Sequence, residues 1–228
     1  FVHTMTILTN AFCEAKNDSP VKSRFAEWER YIPELSDKDA IDLFCLHTYL
    51  SIMSRLICAR AIDPAISKLS LPVVTRLMNG EYFMEEEIYN LGTNDFFSWV
   101  LDAIPETTIR DMHQNILESL LIYDLNKVDK DVLSSLYEKS SSRRVDSKDP
   151  NRHISYEPGL ITEVDCAGGG FLADIVRAHS IRMLEQNYDH IDIVLHLSRN
   201  LIATESDPGW ISIARANFII SLAKFLKL

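Results

Sequence analysis

The stretch "EVDCAGGGFLADIVRAH" (Glu163–His179) decides how the last third of the chain folds. It holds three consecutive glycines, although the 228-residue chain has only seven in all. An apolar run, "GLITEVD", ends where the stretch begins, and an amphipathic run over 171–186 follows the glycines. Glycine tolerates positive φ and lets a ligand approach the backbone, and the N–H groups of a following helix can bind polar groups. The pattern predicts strand, glycine turn and helix; glycines that merely pack the helix against the strand would give the same sequence.

A second apolar run predicts a second unit of the same kind. "LIATE" (201–205) reads as a strand, and 208–226 reads as a long helix with Pro208 near its first turn. "HIDIVLHLSRN" (190–200) supplies extra helix in the crossover between the two predicted strands. Because doubly wound folds bind ribose hydroxyls with a carboxylate at the end of the next strand, Glu205 is the candidate ligand. The two units together predict an open parallel α/β sheet that binds a nucleoside cofactor.

The preceding part of the chain predicts a helical domain. From Ser36 to Ile62 apolar residues recur every three or four positions, and Asp63-Pro64 ends the helix. Further helices are predicted over 4–16, 21–31, 70–78, 106–123 and 129–139. The segment after these helices is rich in Ser, Asp and basic residues and lacks periodicity, which indicates a linker. The predicted domains are therefore a helical domain (1–138), a linker (139–158) and a partial cofactor-binding domain (159–228).

Composition excludes several classes of protein. The net charge of −10 argues against non-specific nucleic-acid binding by this chain, since its basic residues cluster only at Arg143, Arg144, Lys148 and Arg152. The four cysteines lack CxxC spacing, which argues against a zinc site or a disulfide framework. No secretory signal and no apolar run of about 20 residues is recognised. We expect a cytoplasmic protein with neither a metal nor a membrane partner.

The segments "VDCAGGGFLADIVRA" and "LIATESDPGWISIARANFIISL" resemble the S-adenosylmethionine-binding half of N6-adenine DNA methyltransferases from restriction-modification and phage-defence systems. The first resembles the family pattern D-P-A-C-G-S-G-x-F-L, and "IARAN" (213–217) resembles the segment after the family's second acidic motif. The helical part resembles the region preceding this domain in large members. The resemblance implies a helical domain followed by a partial Rossmann-like domain, with S-adenosylmethionine as cofactor. The cofactor-binding residues that it implies are Asp165, Gly168, Gly169, Gly170, Phe171, Glu205 and Asp207.

Within this implied site, the first acidic residue and the glycines would frame the methionine part and Phe171 would support the turn. Glu205 would hold the ribose hydroxyls, and Asp207 with Pro208 would shape the adenine side. The implied partners are double-stranded DNA, bound through other parts of the full protein, and further subunits of a defence system.

Three departures from the family pattern limit this function. The step from Asp165 to Gly168 is one residue short, so either the turn has a different geometry or the cofactor is held less well. "SYEP" (155–158) is the one segment that resembles the Tyr-Thr-Pro motif, and the spacing leaves no room for the helix that normally follows it. This spacing suggests that a stretch between Arg152 and Asp165 is absent from this sequence or has been deleted. The catalytic Asn/Asp/Ser-Pro-Pro-aromatic motif is absent, since no Pro-Pro occurs. We expect no catalytic residue in this chain and no methylation by it alone.

Two other functions stay open from the sequence. The first is a non-catalytic helical interaction module with a degenerate methyltransferase fold, which the short turn and the absent motif favour. The second is a nicotinamide-dependent oxidoreductase, which the lack of GxGxxG spacing disfavours.

Overall fold

The chain divides into two compact units, 1–123 and 124–228, and each is described here by itself. The structure is a computed structural model that describes residues 1–32, 35–92, 95–123, 133–134, 137–138, 153–157 and 160–226. The sequence placed the domain boundary at 138, whereas the division after Tyr123 puts the helical residues 133–134 and 137–138 in the second unit. Tyr137 explains the difference, because its ring packs against Trp210 of that unit at a centroid distance of 4.3 Å.

Every regular element in the described part of the first unit is helical. A 3-10 helix, Phe96–Trp99, precedes α6. The α-helices are α1 Val2–Ala15, α2 Ser19–Glu29, α3 Asp37–Ile62, α4 Leu71–Asn79, α5 Glu81–Glu85, α6 Val100–Ala103 and α7 Glu106–Leu120. The start of α3 is fixed by Ser36, whose Oγ accepts a hydrogen bond from the backbone N–H of Asp39. The predicted all-helical character of this region is confirmed.

Helix α3 forms the core of the first unit. It is long and apolar enough to cross a membrane, yet 83% of its apolar window is buried inside the protein, as expected of a core helix. Two indole N–H groups are satisfied on this helix: Trp28 Nε1 donates to His47 Nδ1 at 3.1 Å, and Trp99 Nε1 donates to Thr48 Oγ1 at 2.9 Å. Buried tryptophans with paired N–H groups place α2 and the 3-10 helix against α3.

A buried arginine joins α3 to the segments that follow it. The side chain of Arg55 is 2% exposed, and its Nη2 lies 3.0 Å from Asp95 Oδ2. Its Nη1 donates to the carbonyl oxygens of Leu77 at 2.8 Å and Leu91 at 3.2 Å. Asp95 in turn caps the 3-10 helix by accepting from the N–H of Phe97. The guanidinium therefore satisfies acceptors from three separate parts of the first unit.

The second unit contains a small sheet with helices packed on it. The sheet has the order β1-β2-β3. Its described elements are β1 His153–Glu157, β2 Leu160–Val164, α8 Gly170–Glu185, α9 His190–Asn200, β3 Leu201–Thr204 and α10 Pro208–Leu226. Strands β2 and β3 are parallel, with Ile161 opposite Leu201 and Val164 opposite Thr204. The predicted strand, helix and crossover elements are confirmed, and so is the parallel pair.

Strand β1 differs from the sequence expectation. Its residues lie in the predicted linker (139–158), and it pairs antiparallel to β2. Two residues separate β1 from β2, a length that suits a hairpin, whereas a parallel connection needs a dozen or more. Purely parallel pairing was therefore wrong for this edge of the sheet. The rest of the linker with its basic cluster, and most of the predicted helix 129–139, lie outside the described residues.

A buried core of the second unit lies among helices α8, α9 and α10. Its buried cluster is formed by Val176, Met183, Ile193, Leu197, Leu222 and Phe225. Leu201, the first residue of β3, packs partly buried against this cluster and joins it to the sheet. This packing positions the segment between β2 and α8 and the segment between β3 and α10. These two connecting segments, 165–169 and 205–207, form the candidate site.

Candidate functional site

The turn between β2 and α8 has an unusual backbone conformation. The φ angles of Asp165, Ala167 and Gly169 are 54°, 47° and 72°, all in the left-handed region. The sequence suggested that the glycines allow the positive φ angles of the turn. Among the three consecutive glycines, however, Gly169 alone has a positive φ. A non-glycine residue in this region costs about 1–2 kcal/mol. Asp165 and Ala167 therefore hold strain that the surrounding contacts must offset.

Backbone N–H groups of the turn donate hydrogen bonds to the end of β3 and to Glu205, which follows it. The N–H of Cys166 donates to the carbonyl oxygen of Thr204 at 3.0 Å, and the N–H of Ala167 donates to Glu205 Oε2 at 2.8 Å. Within the turn, the N–H of Gly169 donates to the carbonyl oxygen of Cys166 at 2.9 Å. The structure therefore brings together the glycine turn and Glu205, which are separated by more than thirty residues along the chain.

Glu205 is a half-buried acceptor for three backbone N–H groups. Besides the bond from Ala167, its Oε1 accepts from Ser206 at 2.7 Å and from Asp207 at 2.9 Å. An ionised carboxylate has about four lone-pair sites, so the three bonds leave capacity for about one more donor. A ribose hydroxyl could use that capacity. Glu205 thus has a structural role in this turn in addition to the ligand role that the resemblance implies.

Asp207 is the N-cap of α10. Its Oδ1 accepts from the N–H groups of Gly209 at 2.8 Å and Trp210 at 3.2 Å, the second and third positions of the helix. The hydroxyl of Tyr137 lies 3.2 Å from both carboxylate oxygens. Asp207 is 9% exposed. These contacts describe a buried cap that positions α10, whereas the resemblance implied a residue on the adenine side of a ligand.

Two of the three glycines are required by close packing. A Cβ on Gly169 would lie 3.0 Å from the Cα of Ala214 in α10. A Cβ on Gly168 would lie 1.8 Å from the Oγ of Ser134. Both positions therefore favour the packing role for glycine that the sequence left open. At Gly169 the neighbour is α10, and at Gly168 it is Ser134 in the helical residues 133–134.

The third glycine and its neighbour open helix α8. Gly170 is the first residue of α8, and Phe171 follows half-buried. The first-turn N–H groups of a helix have no acceptor within the helix, and they carry the positive end of its dipole. This end of α8 lies directly after the turn that Glu205 holds, so amide donors and a carboxylate acceptor occupy the same edge of the sheet.

Three contributors were missed by the sequence reasoning. Ala167 acts through its backbone N–H, which no side-chain pattern reveals. Tyr137 lay within the predicted helix 129–139, and nothing in the sequence assigned it a role at the site. Asn217 donates from Nδ2 to the carbonyl oxygen of Gly168 at 2.7 Å. A polar residue within the apolar run "IARANFII" was the available signal for it.

Comparisons of the chain with protein-family models, with curated proteins and with solved structures find no match. The arguments about function below therefore depend on the geometry of the second unit and on the motif resemblance.

Proposed function

We propose that the second unit binds S-adenosylmethionine through a partial Rossmann-like domain, as the cofactor-binding part of an adenine-specific DNA methyltransferase of a restriction-modification or phage-defence system. The observation that carries this proposal is the 2.8 Å hydrogen bond from Ala167 N to Glu205 Oε2. It joins the glycine turn after one parallel strand to the carboxylate after the next. Ligands of open α/β sheets bind at the carboxyl ends of neighbouring strands, where such groups meet.

The residues at this edge fit the parts of the cofactor. Glu205 retains capacity for one ribose hydroxyl, and the N-terminal end of α8, which begins at Gly170, suits the methionine carboxylate. Asp165, half-buried at the end of β2, would place negative charge near the ammonium and sulfonium groups. Bound S-adenosylmethionine would supply an electrophilic methyl group. The second unit would bind and orient it.

The remaining chemistry belongs to other parts of the full protein. Methylation of adenine requires the base to leave the duplex and enter a pocket, and the Pro-Pro-aromatic motif that serves this in the family is absent from this sequence. The proposed partners, double-stranded DNA and defence-system subunits, would contact those parts. All four cysteines are free thiols, which fits the proposed cytoplasmic location.

Isothermal titration calorimetry with S-adenosylmethionine and S-adenosylhomocysteine tests the proposal. We expect both to bind the folded chain. We expect Glu205→Gln to raise Kd about tenfold, because the amide carries no charge and has one acceptor oxygen, whereas Glu205 uses both oxygens to accept backbone N–H groups. Glu185→Gln, at the exposed last residue of α8, is the matched control and should leave Kd unchanged. Absence of binding heat, in protein shown to be folded by circular dichroism, would refute cofactor binding.

A second function, the non-catalytic interaction module, is favoured by the packing of the turn. The space beside Gly169 is filled by α10, and three bonds on Glu205 come from the protein itself. A phage-protection assay separates the two functions. The module requires Glu205→Ala to preserve protection while Tyr89→Asp and Tyr123→Asp, at residues 64% and 58% exposed on the first unit, abolish it. The opposite pattern supports the cofactor-binding function.

A further inference from the structure

Asn217 is a polar residue on the buried side of α10. It is 5% exposed, and its neighbours Ile213 and Ala216 are fully buried. Burying an amide side chain is unfavourable unless its hydrogen-bonding groups are satisfied. Asn217 therefore contributes to folding or function only through the groups that it contacts.

Its amide contacts the backbone of the glycine turn. Asn217 Nδ2 donates to the carbonyl oxygen of Gly168 at 2.7 Å. The N–H at the other end of that same peptide group, on Gly169, donates to the carbonyl oxygen of Cys166 at 2.9 Å. The Gly168–Gly169 peptide is thus fixed at both ends, and one of the two groups that fix it comes from α10.

The same helix also limits the turn sterically. Ala214, three residues before Asn217, approaches Gly169 so closely that a Cβ there would lie 3.1 Å from the Cβ of Ala214. Gly169 has a φ of 72° and immediately precedes α8. Helix α10 therefore determines the orientation of the peptide through which the chain enters α8.

We propose that Asn217 is a positioning residue for the ligand site: it fixes the Gly168–Gly169 peptide and thereby directs the first-turn amides of α8 toward the cofactor, without touching the cofactor itself. This inference rests on the proposed cofactor binding. It makes cofactor affinity depend on a side chain of α10 that acts through the backbone of the turn.

Two substitutions separate the hydrogen bond from packing. Asn217→Ala removes the donor. Asn217→Asp keeps the shape, but its ionised carboxylate has no donor and repels the carbonyl oxygen of Gly168, whereas its protonated form can donate again. Ser212→Ala is the matched control, because Ser212 is also buried on α10 and its Oγ donates within the helix, to Pro208 O at 3.0 Å.

The first measurement needs no ligand. By NMR hydrogen exchange, we expect the amide of Gly169 to exchange about tenfold faster in Asn217→Ala than in the wild type, while the amides in the interior of α8 and α10 keep their protection. Unchanged exchange at Gly169 would overturn the inference whether or not S-adenosylmethionine binds.

The second measurement is the Kd of S-adenosylmethionine as a function of pH. We expect about tenfold weaker binding in both variants at pH 7, recovery in Asn217→Asp alone as the pH falls and its carboxyl group is protonated, and no change in Ser212→Ala. Equal affinity of wild type and Asn217→Ala would overturn the inference. If the wild type does not bind, the proposed function fails and the exchange rates at Gly169 decide the structural role of Asn217.

Discussion

Replacing Gly169 by alanine tests why the glycine run exists. The structure attributes this position to two constraints, a φ of 72° and the approach of α10, and neither involves a ligand. We therefore expect Gly169→Ala to destabilise the second unit even where no cofactor is present.

The size of the effect follows from three contributions. An L-residue in the left-handed region costs about 1–2 kcal/mol. The new Cβ lies 3.0 Å from the Cα and 3.1 Å from the Cβ of Ala214, and such overpacking costs about 1–3 kcal/mol. The smaller conformational entropy of the unfolded alanine chain returns roughly 0.4–1 kcal/mol. The expected loss in free energy of unfolding is about 3 kcal/mol.

A double-mutant cycle with Ala214→Gly isolates the steric part. The second substitution removes the 3.1 Å contact but leaves the φ strain and the 3.0 Å contact with the Cα, so we expect a coupling free energy of about 1 kcal/mol. Ala167→Gly provides a contrast in the same turn: its φ of 47° is already left-handed, so glycine there should stabilise by up to about 1 kcal/mol.

Hydrogen exchange of peptides covering β2 and α8, in increasing urea, measures the unfolding free energy of the second unit separately from the first. A neutral Gly169→Ala, or a cycle without coupling to Ala214, would show that α10 does not restrict the turn. The glycines would then have to be explained by a ligand.

Two further predictions concern the first unit. Burial lowers the pKa of His113 from 6.5 to about 4, although its Nδ1 lies 2.7 Å from the carbonyl oxygen of Ile109. Because this folded-state pKa is below the unfolded value, the contribution of His113 to the free energy of unfolding is constant above pH 6.5. As the pH falls from 6.5 to 4, that free energy decreases by about 3 kcal/mol. In urea unfolding at a series of pH values, His113→Leu should lack this part of the pH dependence. The control His3→Leu, at an exposed residue, should retain it. Identical pH profiles of the wild type and His113→Leu would contradict the lowered pKa of His113. Arg55→Met should destabilise the first unit by about 3–5 kcal/mol, since it removes the guanidinium from Asp95 Oδ2 and from the carbonyl oxygens of Leu77 and Leu91. Arg110→Met breaks a surface pair with Asp111 and should cost less than about 1 kcal/mol. Hydrogen exchange of α3 measures both losses, and comparable losses would show that the buried network adds nothing.

Local patterns in the sequence were sufficient for most of the secondary structure. The periodicity over 36–62 predicted α3, Asp63-Pro64 predicted its end, and the apolar runs around the glycines predicted β2, α8, β3 and α10. These patterns are short-range, because helix periodicity, capping and the restriction before proline act between residues a few positions apart. Strand β1 was missed because its pairing with β2 is a property of two segments, and its own five residues carry weak alternation.

What each residue of the candidate site contacts was decided by tertiary structure alone. The sequence selected Glu205 and the glycines, but the bond from Ala167 to Glu205, the cap that Asp207 forms with Tyr137, and the contact of Ala214 with Gly169 join residues that lie 38, 70 and 45 positions apart. Hydrogen bonds and steric contacts act over a few ångströms in space, so only the tertiary structure reveals that Gly169 is required by the close approach of α10 and Gly168 by that of Ser134. The sequence by itself determined the strand–turn–helix units and the acidic residues that end the strands, whereas the fold determined which partners those residues bind.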